Sequence, residues 1–153
     1  MTKAIFLDQL NAIQKQNTWF FSLKSALHGL NEEDAKRKEI INSIEGIVQH
    51  LIFYNDLELR KFKGETLEQS FKSDHITYRN KEQTSWIATT VTLHAILHDW
   101  EQSIKHADQE KISAWEETLS YLLLHNAYHI GQIVYIRKLV GDWKNKNGVD
   151  YNF

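Results

Sequence analysis

The sequence predicts an all-α protein, a four-helix bundle ordered up-down-down-up with a long crossover between helices 2 and 3. Three observations predict it. Apolar residues recur at helical spacing through four long segments. Proline is absent and glycine occurs only six times in 153 residues, so little interrupts those segments. The connections are short between helices 1 and 2 and between helices 3 and 4, but about seventeen residues separate helices 2 and 3. With 42% hydrophobic residues, a chain of this length reads as one domain, residues 1–153, able to fill its own core.

Helix 1 is expected from about Ile5 to His28, on the stripe Phe6, Leu10, Ile13, Phe20 and Leu27, with Gly29 ending it. Asn31 can cap helix 2, whose stripe Ile40, Ile44, Ile47, Leu51 and Tyr54 leads to Phe62, just before Gly64. Helix 3 is expected from Lys81 to Ala107, with Trp86, Leu93, Leu97, Trp100 and Ile104 on one face. Ser113-Ala-Trp-Glu116 reads as a capping box opening helix 4, which carries Trp115, Leu119, Leu122, Ile133 and Val140 and stops at Gly141. The connection from Lys63 to Asn80 can stretch to roughly 55 Å, whereas a 27-residue helix is about 40 Å long. That reach lets helices 2 and 3 run parallel. The aromatic tail, with Trp143, Tyr151 and Phe153, is expected to pack on the bundle or on a second subunit.

Composition narrows the function. No cysteine occurs, so a metal would be held by histidine, carboxylate or water, and any thiol chemistry needs a thiol brought in from outside. Net charge is −2, and Lys36-Arg37-Lys38 is the one basic triplet, a poor basis for binding nucleic acid. The N-terminus lacks a signal peptide's apolar core, and no apolar run approaches a membrane span. A cytoplasmic location without membrane association is expected.

Eight histidines are present, and two of them form His125-Asn-Ala-Tyr-His129-Ile-Gly-Gln132. Residues four apart share a helix face, so both imidazoles can meet one metal ion. On helix 2, His50 falls at the edge of the Ile44/Ile47/Leu51 stripe and is the candidate third ligand, although a lone histidine there also suits an ordinary bond to a backbone carbonyl. Gly46, one turn earlier, leaves a gap beside it through which a substrate could enter. Gln132, at i+7 from His125, can orient a ligand ring or a bound water. Tyr54 and Gln132 are the candidates for proton handling or orientation; Tyr54 equally suits a stripe position with its hydroxyl at the rim. A rival set, His94, His98 and Glu101, lies on helix 3, and periodicity does not decide between the two.

The run His125-Asn-Ala-Tyr-His129-Ile-Gly-Gln132-Ile, followed by Arg137-Lys-Leu-Val-Gly141, resembles the C-terminal signature of the DinB/YfiT-like family, whose members are regarded as metalloenzymes. The resemblance implies an up-down-down-up bundle in which a lone histidine of helix 2, matched by His50, joins the HxxxHxGQ pair, matched by His125 and His129. Imidazole ligands suit a divalent metal, Zn or Ni first and Fe or Mn as alternatives. Three imidazoles leave open a position that can lower the pKa of a water to about 7 or keep a thiolate ionised. Through characterised relatives the resemblance points to the thiolate, and so to a transferase that uses a low-molecular-weight thiol on small electrophiles. A non-catalytic metal-binding stress-response protein and a metal-dependent hydrolase are the other expectations. A small-molecule substrate is expected as well, and the aromatic tail with the Trp-rich third helix, more apolar surface than four helices easily bury, points to a homodimer.

Overall fold

The computed structural model describes residues 2–38, 42–67 and 74–143. Among them are six α-helices: α1 Thr2–Gln14, α2 Leu23–Ala26, α3 Glu32–Lys36, α4 Ile44–Phe62, α5 Trp86–His106 and α6 Gln109–Leu139. A 3₁₀ turn, Asp74–Ile76, precedes α5, and the described residues contain no strand. The chain is all-α. None of these helices is long and apolar enough to cross a membrane.

The helix ends depart from the sequence expectation where short polar side chains capture backbone groups. The segment expected as one helix from Ile5 to His28 breaks after Gln14. There the Asn17 carboxamide oxygen accepts from the Ser22 N–H at 3.0 Å and from its hydroxyl at 3.1 Å. Local side-chain bonding of this kind competes with helix, and Ser22 then caps the short α2. Asn31 does cap a helix, accepting from the Asp34 N–H at 2.8 Å, but only the five residues of α3. At Arg37 the backbone turns extended, and Ser43 caps α4 through the Gly46 N–H at 3.0 Å. Ile40, expected in the same stripe, lies outside the described residues. The third helix starts at Trp86 rather than Lys81, because Asn80 holds the preceding turn through the Thr84 N–H and carbonyl. Asp108, not Ser113, caps α6, accepting from the Lys111 N–H at 2.8 Å, and Ser113 falls inside the helix. Gly141, at φ 76°, occupies the expected left-handed position after α6.

The chain groups into two compact units: Met1–Gly29 with Ile104–Phe153, and Leu30–Ser103. In the first, α1 and α2 pack on α6. The Lys3 ammonium donates to the carbonyls of Lys105 and Ala107, and farther along both helices Ile13 and Leu123 wall one groove. The two helices therefore run in the same sense. Arg137, 3% exposed, donates from one guanidinium nitrogen to the carbonyls of Ala26 and His28, each at 2.8 Å, and pairs with Asp142. It thereby answers carbonyls at and beyond the end of α2 that have no partner within that helix. Trp143 meets Phe21 edge-on, with centroids 4.8 Å apart, so the first aromatic of the tail packs within this unit. Tyr151 and Phe153 lie outside the described residues.

In the second unit, α3 packs on α4. The Trp86 indole donates to the Leu30 carbonyl at 2.9 Å and the Trp100 indole to the Asn55 carbonyl at 3.0 Å. Gln49 reaches Thr89 near the start of both long helices, and Phe62 meets Trp100 farther along. α4 and α5 thus lie side by side in the same sense. Leu51, Leu93 and Leu97 are fully buried beneath these contacts.

Arg137→Ala should destabilise the protein by about 3 kcal/mol, since it strands buried carbonyls and an acidic partner. Arg137→Lys should recover less than half of that, because an ammonium does not reproduce the guanidinium fork. Urea unfolding followed by helical circular dichroism checks both.

Candidate metal centre

His50 stands on α4, 3% exposed, and its position depends on the connection that precedes α5. Its Nδ1 lies 2.6 Å from the Thr77 hydroxyl oxygen. That hydroxyl has one proton and donates it to the Asp74 carbonyl, also at 2.6 Å. The Thr77 oxygen must therefore accept from His50, so Nδ1 carries a proton and the neutral ring has its lone pair on Nε2. Tyr78 stacks on the imidazole at 4.1 Å and 16°, and Tyr54 meets it edge-on at 4.8 Å.

Gly46 lets this connection come close. A Cβ at Gly46 would lie 3.1 Å from the Tyr78 carbonyl oxygen and 3.3 Å from the Ser43 hydroxyl. The gap expected there as an entrance is taken up by the Tyr78 backbone. What the missing side chain admits is a piece of the protein itself, and with it the ring that stacks on His50.

The other two histidines stand on α6. Nε2 of His125 and Nε2 of His129 are 3.0 Å apart, with the rings edge to face at 4.5 Å. Helical spacing alone brings them together, as expected. His129 Nδ1 donates to the Gln132 carboxamide oxygen at 2.6 Å, and the Gln132 amide donates onward to the Tyr128 hydroxyl at 3.2 Å. The neutral form of His129 is therefore also the Nδ1–H tautomer. Two nitrogens each about 2.05 Å from one tetrahedral ion would lie about 3.3 Å apart, a little beyond the separation seen here. The pair is close enough to share one ion, and the Gln132 carboxamide orients one ring of it.

Tyr54, the other candidate for proton handling, donates its hydroxyl to the Asp74 carboxylate at 2.8 Å. Burial, and then this bond to Asp74, push the phenol up to about 12. Across the neutral range it is a hydrogen-bond donor and not a base. Among the described residues the rival set is not gathered closely enough to hold one ion. His98 is exposed, with Nδ1 3.7 Å from the Glu101 carboxylate, while half-buried His94 is shifted towards the neutral form by desolvation.

Comparison with protein-family models, with curated proteins and with solved structures found no match. Sequence reasoning missed Thr77, Asp74 and Tyr78. They lie in the connection between α4 and α5, where no periodicity marks a face, and Thr77 is 27 positions from the histidine it holds.

The raised Tyr54 pKa has a definite consequence for stability. A proton held more tightly in the folded protein stabilises it fully below the unfolded value of 10.0, and this contribution is lost as pH rises through about 12. Ultraviolet titration should show one tyrosine ionising last, and Tyr54→Phe should remove that step and the alkaline loss of stability with it. An unchanged titration curve in the variant would contradict the assignment.

Proposed function

We propose that the chain is an up-down-down-up bundle in which His50, His125 and His129 together hold one divalent metal ion, Zn or Ni first. On this reading the protein is a metal-dependent S-transferase that joins a low-molecular-weight thiol to small electrophilic molecules. The observation that carries it is the hydrogen bonding of the two most buried imidazoles. Both His50 and His129 commit Nδ1 to a neutral oxygen acceptor, from Thr77 and Gln132, which makes Nε2 the nitrogen a metal would take. Metal-ligating histidines characteristically donate their second N–H in this way. Three neutral imidazoles and no cysteine fit a borderline divalent cation.

When bound, the metal would supply an open position able to keep a thiol ionised at neutral pH. The chain's own residues supply orientation. Thr77 and the Tyr78 ring hold His50 against rotation, and Gln132 does the same for His129. Tyr54 keeps Asp74 engaged, and Asp74 in turn offers the carbonyl that orients the Thr77 hydroxyl.

Alanine at His50, His125 or His129 should sharply lower the metal content of the purified protein, whereas His94→Ala and His98→Ala should leave it near wild type. Thr77→Val should weaken metal affinity by about ten- to a hundredfold while every ligand remains in place. Chelation should lower the melting temperature without abolishing helical circular dichroism, because the ligands stand on helices packed by their own cores. Full metal content in the His50 variant would overturn the three-histidine assignment.

With Co²⁺ in the site, adding a small thiol near neutral pH should produce a sulfur-to-metal charge-transfer band and release a proton, since a free thiol with a pKa of about 8.5 is mostly protonated there. His129→Ala should show neither. If the wild-type protein binds Co²⁺ and no thiol perturbs its spectrum, the transferase reading falls. Metal-dependent hydrolysis or non-catalytic metal binding in a stress response would then be the account to test.

A further inference from the structure

α6 buries one side and presents a second, regular row to solvent. Every third or fourth residue from Ala114 to Lys138 is exposed: Ala114, Glu117, Tyr121, Leu124, Tyr128, Gly131, Tyr135 and Lys138. The steps alternate three and four without a break, which is the heptad spacing of a coiled-coil seam and not the 3.6-residue drift of an ordinary amphipathic face. Its middle is apolar, with Tyr121, Leu124, Tyr128 and Tyr135 between 62% and 64% exposed. Gly131 stands within this row, and a Cβ added there would meet nothing within 4 Å among the described residues. Nothing among the described residues explains a glycine in the middle of a long helix, where it costs helix propensity.

We propose that this row is the self-association surface of the protein, and that two copies pair their α6 helices antiparallel so that Tyr121 of each lies over Gly131 of the other. The row is complementary to itself in that register. Around a two-fold axis near residue 126, Leu124 meets Tyr128 of the second copy, and the bulky Tyr121 meets the one position with no side chain. Glu117 falls beside Tyr135 and Lys138 of the second copy, so a carboxylate meets a hydroxyl and an ammonium. A parallel register would instead stack Glu117 on Glu117, Lys138 on Lys138 and Gly131 on Gly131.

The size is adequate. Three tyrosines and a leucine exposed to this degree, with Trp19 at the edge of the adjoining groove walled by Leu124 and Ala127, offer roughly 600 Å² per copy, or about 1,200 Å² in the pair, the lower end of stable interfaces. This assignment does not depend on metal binding or on the transferase reading.

Sedimentation equilibrium of the full chain should give about twice 18.0 kDa at micromolar concentration. The double variant Tyr121→Glu/Leu124→Glu should sediment as a monomer with wild-type helical circular dichroism. Gly131→Leu should weaken the dimer at least tenfold without lowering helicity, because the added side chain occupies the place of Tyr121 and is tolerated within its own chain. The chain contains no cysteine, so register can be read by disulfide formation. A mixture of Tyr121→Cys and Gly131→Cys proteins should cross-link to each other on mild oxidation, while Tyr121→Cys alone should not. Tyr121→Cys cross-linking to itself in preference would overturn the antiparallel register. An 18.0 kDa species alone at these concentrations, or a dimer indifferent to the double variant, would overturn the surface assignment itself.

Discussion

A buried imidazole has two nitrogens and can present only one to a ligand, so the other must be given a fixed partner inside the protein. Much of the local structure around the candidate ligands serves that constraint. For His50 the partner is the Thr77 hydroxyl, and that hydroxyl is itself oriented by the Asp74 carbonyl. The 3₁₀ turn at Asp74–Ile76 sets this carbonyl, and the close approach at Gly46 admits the backbone beside it. Without that chain of contacts a buried, rotatable ring would lack both a defined tautomer and a defined direction.

The two histidine environments meet the same requirement by different means. On α6 everything is local: His125, His129 and Gln132 lie within two turns of one helix, and the helix itself sets their spacing. On α4 the partner comes from a separate segment, anchored by the Asn80 carboxamide on Thr84 and Glu45. Local geometry forms as soon as the helix forms. Geometry carried by a connection requires that segment to dock, and the docking loses backbone entropy that packing must offset. The stack of Tyr78 on His50 and the bond from Tyr54 to Asp74 are among the contacts that offset it.

Polar side chains decide where the helices stop. Asn17, Asn31, Ser43, Asn80 and Asp108 each capture backbone groups, and each marks a break or a start in the chain. Every one of these residue types is a recognised cap, so the signals were present in the sequence. The apolar stripe nevertheless runs on across the first of these breaks, since Phe20 and Leu27 follow Asn17 at helical spacing. Periodicity over a window averages away a single competing side chain. The Ser113–Glu116 capping box shows the converse, a valid motif overridden by Asp108 five residues earlier.

By itself the sequence determined the helical class, the two long helices that carry the histidines, the pairing of His125 with His129, and the reach of Gln132 to that pair. All of these follow from short-range geometry, 3.6 residues per turn and a side-chain direction set by the backbone. Only the tertiary structure decided what holds His50, what fills the space beside Gly46 and what the Tyr54 hydroxyl does. Each depends on where an aperiodic connection comes to rest, and its resting place follows from close packing and from the need to satisfy every buried polar group. Those are properties of the folded chain as a whole, and no window along it contains them.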